Sequence, residues 1–188
     1  MRRSDPTPKS LAGSLLLASP KLRDPNFAQT VLLLSVHDRD GAMGIVLNRP
    51  TGRTLSDLGG DFAIGALADV PIYMGGPVQP EQMVICAWRI DEGSPAGFQL
   101  HFGIDPERAA GLLGQPGMYV RAFMGYAGWS EGQLEGELAA DAWAVTEIPE
   151  TLMELEADSS AGLWRAVFGE INHEWRLLAE EPDDPSGN

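Results

Sequence analysis

The sequence predicts a single soluble α/β domain, and three observations support that class. The chain has 188 residues, of which 44% are apolar, and a chain of this length buries roughly 70% of its unfolded surface in one core. Short apolar segments alternate with amphipathic segments that carry helix caps. One stretch, residues 118–138, joins a buried strand through glycines to a helix. Such strand-to-helix turns lie where α/β proteins meet ligands.

The net charge is −14, from 13 basic and 27 acidic residues, and it is unevenly distributed. Residues 1–60 hold eight Lys or Arg against five Asp or Glu, a net of +3, so the remainder holds five against 22, a net of −17. An acidic body repels phosphate backbones, which disfavours nucleic acid as a partner. The alternative, a nucleic-acid contact, would use Lys21, Arg49 and Arg53 in the mildly basic first third.

The single cysteine, Cys86, excludes an intrachain disulfide and a CxxC zinc site, and its apolar neighbours predict a buried thiol. Asp38 and Asp40 lie beside His37, but no further oxygen ligands follow, so neither a metal nor a cofactor is predicted. No apolar run approaches the roughly 18 residues of a membrane span. We therefore expect a cytoplasmic protein without membrane contact.

The first half of the chain predicts strands joined by tight turns. Strands are expected over residues 14–18, 30–36 and 42–48, and the Asp-Arg-Asp-Gly turn at residues 38–41 makes the last two an antiparallel hairpin. Residues 48–52 then leave the sheet, and Thr54 with Asp57 has the capping-box pattern of a short helix.

The chain continues with predicted strands over residues 70–74, 83–88 and 97–102. A rigid Gly- and Pro-rich bend at 75–81 separates the first two of these strands. The third of these lies near a sheet edge, with His101 solvated or structurally paired on its polar face. Asp105, Pro106 and Glu107 are an N-cap, an N1 proline and an acidic first turn, which predicts a helix over 106–113. Glycines close this helix before the strand at 118–124.

The last part of the chain predicts a strand over 143–146, a short acidic helix over 150–156 and a longer helix over 163–178. In the longer helix, Leu163, Val167, Ile171 and Trp175 recur every four residues, which indicates an apolar stripe that covers the sheet, with His173 on the solvated face. We expect residues 1–10 to be a flexible arm, residues 11–179 one domain and residues 180–188 a disordered acidic tail.

The glycine turn contains a literal G-x-S-x-G at residues 128–132, the nucleophile-elbow pattern of α/β-hydrolases. A serine hydrolase acting through Ser130 is therefore an alternative function. The turn is longer than in such elbows, and the only downstream histidine is His173. Ser130 with Gln133 also fits a capping box, in which the serine bonds a free helix N–H. The capping interpretation is favoured.

Four segments together resemble the YqgE/AlgH family. They are residues 13–20 with 23–27, residues 41–50, residues 73–81, and residues 125–129 with 133–135. The resemblance implies a cytoplasmic bacterial protein of the α/β (α+β) class, with a bifurcated mixed β-sheet, partly closed like a barrel and surrounded by helices. It implies no activity, because the family has none established, although its members are often labelled as candidate transcriptional regulators. No helix-turn-helix or basic recognition helix is found in this chain.

The leading functional hypothesis is a non-enzymatic regulatory or ligand-binding protein, with a small molecule or another protein as its unknown partner. The motif residues are mostly Gly, Pro, Asn and aromatic residues, which shape loops and contact surfaces, and no group of acid, base and nucleophile is evident. No catalytic residue is assigned. The predicted ligand-binding cleft is lined by Asn48, Arg49, Gly75, Gly76, Tyr126 and Trp129.

Overall fold

The computed structural model describes residues 10–91, 93, 98–149, 152 and 160–171. The strands in this part of the chain are β1 (Leu15–Ala18), β2 (Val31–Asp38), β3 (Gly41–Val46), β4 (Pro50–Thr54), β5 (Pro71–Met74), β6 (Val78–Ile90), β7 (Phe98–Phe102), β8 (Tyr119–Ser130) and β9 (Trp143–Thr146). The α-helices are α1 (Pro106–Leu113), α2 (Gln133–Ala139) and α3 (Ser160–Ile171), and short 3-10 helices cover Leu55–Leu58 and Gly60–Phe62. No helix among these is long and apolar enough to cross a bilayer.

All nine strands form one mixed sheet, which confirms the predicted sheet type. The order is β4-β5-β8-β3-β2-β1-β9, and β6 pairs with both β8 and β7. Every pairing is antiparallel except that of β5 with β8. The predicted hairpin of β2 and β3 is present, and β7 is an edge strand as predicted.

The sheet divides along β8. The first part of β8 pairs with β5 over residues 122–124, and its last part pairs with β3 over residues 127–130. Between these two regions lies Gly75, whose N–H donates to Met124 O at 2.7 Å and whose carbonyl accepts from Val46 N–H at 2.8 Å. Strands β3 and β5 therefore separate at this residue, which is the bifurcation that the family resemblance implied.

Three apolar clusters fill the two faces of this curled sheet. The first draws side chains from β1, β2, β3, β5, β6 and β8 and is covered by α3. The second lies beneath α2 on strands β1, β2, β3, β9 and the end of β8. The third lies beneath α1 on β5, β6 and the start of β8. Since the first cluster spans both branches and the other two belong to one branch each, the sheet is a half-barrel with a shared inner core and helices around it.

The glycine-rich segment at residues 125–129 corrects the sequence analysis. It was predicted to be a turn into a helix, but it belongs to β8, which continues to Ser130. Gly125 has φ of +70°, and a Cβ there would lie 2.3 Å from Gly76 O. The glycine is needed because another backbone passes over the strand, a contact distant in sequence that local patterns do not reveal.

Ser130 is not the cap of α2. The N-cap is Gly132, in the left-handed region at φ of +73° and without a side-chain hydrogen bond. Both the N–H and the hydroxyl of Ser130 donate to Gln133 Oε1, at 3.1 and 3.2 Å. One half of the capping box is therefore present, since the Gln133 side chain accepts from the Ser130 N–H. The other half is not, because the Ser130 hydroxyl donates to Gln133 instead of accepting a helix N–H.

Two further segments differ from prediction. Residues 50–54, expected outside the sheet, form the edge strand β4 against β5. Residues 78–81, expected in a bend, begin β6, where the pairing with β8 is irregular between Val78 and Met83 and Gln79 has φ of +46°. The turn-forming residues thus produce a bulge within a strand.

Helix α1 is predicted accurately, whereas the buried face of α3 is predicted only in part. The Asp105 carboxylate accepts from Arg108 N–H at 2.8 Å and α1 spans the predicted residues. On α3, Leu163 and Val167 are buried as predicted, but Ile171 is 37% exposed, and Trp164 and Phe168 complete the buried face instead. The predicted helix at 150–156, the helix beyond residue 171 and both terminal segments lie outside the described residues, Ser10 and Leu152 apart.

Candidate functional site at the fork of the sheet

The place where β3 and β5 separate along β8 is the candidate site, and we call it the fork. It is formed by Asn48, Arg49, Gly75, Gly76, Gly125 and Tyr126. Met74 N–H donates to Arg49 O at 2.8 Å, which sets the loop after β3 alongside the end of β5. Five of the six residues predicted to line a cleft therefore lie on the segments that meet here.

The glycines of the fork are required by backbone packing. A Cβ at Gly75 would lie 2.3 Å from Gly125 O, and one at Gly76 would lie 2.2 Å from Tyr126 C and O. Real Cβ atoms do not approach backbone so closely, so any side chain here would push the crossing segments apart. Tyr126 is half-buried against the first cluster, next to the paired residue Val78.

Asn48 is fully buried and fixes the preceding loop. Its Oδ1 accepts from Val31 N–H at 2.8 Å, and its Nδ2 donates to Gln29 O at 2.9 Å. Gln29 has φ of +55°, an uncommon conformation for a non-glycine residue. The two bonds of Asn48 hold this strained turn, so its role is mainly to position the loop at residues 24–30.

Arg49 is the polar residue of the fork with unused bonding capacity. Its Nη2 donates to Ala28 O at 2.7 Å, but its Nε is buried and finds no hydrogen-bond partner among the described residues. A guanidinium carries five N–H donors in a planar arrangement that matches carboxylate and phosphate oxygens. No carboxylate among the described residues forms an ion pair with it. The guanidinium of Arg49 therefore keeps donor capacity of the kind that suits an anionic group.

Trp129, the sixth predicted residue, has different surroundings. It packs in the second cluster, with ring centroids 6.5 Å from Phe27 and 6.0 Å from Trp143. Its indole N–H and that of Trp143 both donate to Glu137 Oε2, at 2.9 and 2.7 Å. These bonds satisfy two buried donors and tie α2 to the sheet, which gives Trp129 a structural role.

The described histidines are structurally paired. His37 Nδ1 accepts from Leu11 N–H at 2.9 Å, so Nε2 carries the ring proton and donates to Glu135 at 2.9 Å. This hydrogen bond lowers the pKa of Glu135 below its ordinary value. Burial, and then the charges of Arg108 and Arg89, lower the pKa of His101. His101 Nδ1 lies 3.3 Å from Arg108 Nη2, in accordance with the paired alternative.

The remaining candidates for chemistry are not activated in the part of the chain that the structure describes. Ser130 Oγ bonds to Gln133, and both nitrogens of His37 are occupied. Burial raises the pKa of the Cys86 thiol to about 12, so the thiol stays protonated at neutral pH. Within the described ranges, no three His, Cys, Asp or Glu residues gather as they would around a metal ion. His173, the histidine of the hydrolase alternative, lies outside those ranges.

The sequence analysis missed two parts of this region. It did not predict that the carbonyls of Ala28 and Gln29 face Arg49 and Asn48, although residues 23–27 belong to the segments that resemble the family. It also missed the pairing of His37 with Glu135, residues far apart in sequence. Hydrogen bonds of this kind leave no local pattern to recognise.

Comparison with known proteins agrees with this fold. A UPF0301 protein of Streptomyces avermitilis is 39% identical over 187 residues, covering 95% of this chain and 96% of the relative. One of Sphingopyxis alaskensis is 37% identical over 184 residues, covering 93% and 96%. These relatives match nearly the whole chain.

Two solved structures are also similar to this chain over nearly its whole length. The solution structure of the AlgH protein from Pseudomonas aeruginosa matches with a TM-score of 0.63 and 30% identity, covering 97% of this chain and 99% of that one. A crystal structure of a Corynebacterium diphtheriae protein matches with a TM-score of 0.68 and 23% identity, covering 95% and 94%, which supports the fold alone. The family model described as AlgH-like matches residues 15–176. The chain therefore belongs to the AlgH-like family.

Proposed function

We propose that this protein is a non-enzymatic ligand-binding protein of regulatory type, and that Arg49 at the fork recognises an anionic group of the ligand. The observation that carries the proposal is the half-buried residue Arg49, whose buried Nε has no acceptor among the described residues. A buried donor without a partner costs free energy, and a carboxylate or phosphate oxygen would remove that cost on binding. The ligand would complete a polar network that the chain leaves open.

The surroundings of Arg49 favour an anion over a cation. The residue lies in the first third of the chain, where the net charge is +3, although the whole chain carries −14. Its hydrogen-bond partner Ala28 O belongs to the loop that Asn48 fixes. The guanidinium is therefore pre-oriented, which lowers the entropy lost when a ligand binds.

A non-enzymatic role is supported by the state of the described reactive groups. Ser130 donates to an amide oxygen, Cys86 is buried and protonated, and the ring nitrogens of His37 are both bonded. Nucleophilic catalysis needs a base within hydrogen-bond reach of the nucleophile. Binding alone requires only a positioned surface, and the fork offers one.

The first test is native mass spectrometry of the purified protein, comparing the natural chain with Arg49→Gln and with Arg53→Gln. Arg53 is a matched control, because it is exposed on β4 and its Nη2 bonds to Asp57 O at 3.2 Å. We expect a co-purified anionic molecule that is lost from Arg49→Gln and kept by Arg53→Gln. Retention by both variants contradicts the proposal.

If the protein purifies without a ligand, the Nε–H resonance of Arg49 reports binding directly. Titration with inorganic phosphate and with acetate, followed by proton–nitrogen NMR, should shift that resonance, with phosphate and acetate separating the two anion classes. The Arg53 resonance serves as the internal reference. An Arg49 signal that moves no more than that of Arg53 with either anion would exclude anion recognition at the fork.

Labelling with a fluorophosphonate probe separates this function from the hydrolase alternative. We expect no labelling of the folded protein, because the Ser130 hydroxyl is bonded to Gln133 and not to an imidazole in the described structure. Labelling that disappears in Ser130→Ala would make the protein an enzyme and overturn the proposal.

A further inference from the structure

The segment of residues 55–70, which we call the apolar loop, is a compact excursion packed on α1. Its ends are joined by two backbone bonds, Leu55 N–H to Val70 O at 2.9 Å and Ser56 N–H to Ala68 O at 3.0 Å. Leu55, Leu67 and Val70 are buried in the third cluster. A loop whose ends meet and whose base is anchored in this way presents its tip as a defined surface.

The tip of the apolar loop exposes large aliphatic side chains. Ile64 is 89% exposed and Leu58 is 42% exposed. No other large apolar side chain among the described residues exceeds 42%. Single exposed apolar residues are ordinary, but a side chain as exposed as Ile64 that borders an apolar groove marks a candidate interaction site.

Ile64 borders an open groove of about 510 Å³ between the loop and α1. Phe62, Ile64 and Ala68 form one wall, and Ala110 of α1 contributes to the other. The carboxylates of Asp61 and Glu107 also line the groove. Its volume is in the range of pockets that hold several side chains or one small ligand.

The charge of the groove decides which partner fits. The apolar loop contains three aspartates, Asp57, Asp61 and Asp69, and neither Lys nor Arg. In the part of the chain that the structure describes, neither Asp61 nor Glu107 forms an ion pair. An apolar floor with unpaired carboxylates at its rim complements a segment that combines aliphatic side chains with basic ones.

We propose that this groove is a docking surface for a segment of a partner protein in which Leu, Ile or Val side chains are flanked by Lys or Arg. The aliphatic side chains pack against Ile64 and Phe62, and the basic ones face Asp61 and Glu107. Nucleic acid is disfavoured because its phosphates meet like charge here. A second copy of the chain is disfavoured because it presents the same negative rim.

The test uses the full-length, isotope-labelled protein and three synthetic peptides of equal length. One peptide combines Leu with Lys, one has Glu in place of each Lys, and one has Ser in place of each Leu. We expect the Leu–Lys peptide to shift amide resonances at residues 58–68 and 106–110, with weak or no binding of the other two. Ile64→Ser should weaken the affinity about tenfold, or about 1.4 kcal/mol, because the variant loses the apolar surface that the peptide buries at this side chain.

Val145→Ser is the matched control, since Val145 is an exposed aliphatic residue at 38% exposure on the edge strand β9. It should bind the Leu–Lys peptide as the natural chain does. Equal binding of the Ser–Lys peptide, or shifts spread over the whole acidic surface, would reduce the effect to general charge attraction and overturn the proposal. Shifts at residues 58–68 that depend on protein concentration without peptide would assign the groove to a second copy instead.

Discussion

The fork and the apolar loop are both rich in glycine, but the physical reason that requires glycine differs between them. In the fork, Cβ atoms at Gly75 and Gly76 would lie 2.3 and 2.2 Å from the backbone of β8. In the apolar loop, Cβ atoms at Gly59, Gly60 and Gly65 would meet nothing within 4 Å. Gly75 is needed for space alone, whereas the three glycines of the apolar loop are needed for positive φ alone. Glycine-rich motifs alone therefore do not distinguish a packed crossing from an exposed contact surface.

The largest effect is expected from Gly75→Ala. The new methyl group would meet Gly125 O, which cannot move without breaking the pairing of β8, and overpacking of this kind costs about 3 kcal/mol. We expect the midpoint of thermal unfolding to fall by about 6–12 °C.

Gly111→Ala is the control for that substitution. Gly111 lies in α1 with nothing within 4 Å of its Cβ position, so alanine should stabilise the helix by roughly 0.5–1 kcal/mol. A Gly75→Ala protein as stable as the natural chain would show that the crossing is not tightly packed.

A smaller effect is expected from Gly60→Ala. The position has φ of +59° and open space around it, so the cost is only that of a left-handed alanine, about 1–2 kcal/mol. Urea denaturation should show this loss with an unchanged dependence on urea concentration, because no packing is altered. A loss equal to that of Gly75→Ala would remove the distinction between the two regions.

The smallest effect concerns pH, which backbone packing does not sense but a hydrogen-bonded carboxylate does. The hydrogen bond from His37 lowers the pKa of Glu135, so its contribution to stability is complete above the ordinary value near 4.5 and is lost as the pH falls through the folded-state pKa. Glu135 is about half exposed, so the contribution is below about 1 kcal/mol.

Glu135→Gln should therefore reduce the loss of stability measured by urea denaturation between pH 6 and about pH 3, where the carboxylate titrates. Glu131→Gln, at an exposed position before α2, is the control and should follow the natural chain. Identical acid profiles for Glu135→Gln and the natural protein would show that the pair with His37 contributes nothing.

The parts of the fold predicted from sequence are those whose causes are local. The start of α1 follows from Asp105 and Pro106, and the hairpin of β2 and β3 follows from the turn at residues 38–41. The predicted end of β8 was wrong, because the strand continues past Gly125, where the backbone of Gly76 lies against it. No residue near Gly125 in the sequence indicates that contact. The mixed, bifurcated sheet came from the family resemblance rather than from residue patterns.

The candidate site, too, was predictable where its causes are local and not where they depend on tertiary contacts. Motif residues identified the segments that meet at the fork, since Asn48, Gly75 and Tyr126 all belong to it. The particular state of Arg49 depends on three-dimensional placement: it bonds to Ala28 O, and its Nε has no partner in the described part of the chain. Trp129 was grouped with the fork because of its neighbours in sequence, whereas alternation along β8 directs it to the cluster under α2.

The sharing of β8 between two branches also affects how the chain folds. Its pairings join residues far apart in sequence, such as Gly41 with Ser130 and Ile72 with Ala122. Such non-local pairings slow folding, because loop-closure entropy is lost before the contacts form. Since each branch would expose an unpaired strand without β8, we expect the two branches to assemble in one cooperative step, late in synthesis, and neither to persist as an isolated fragment.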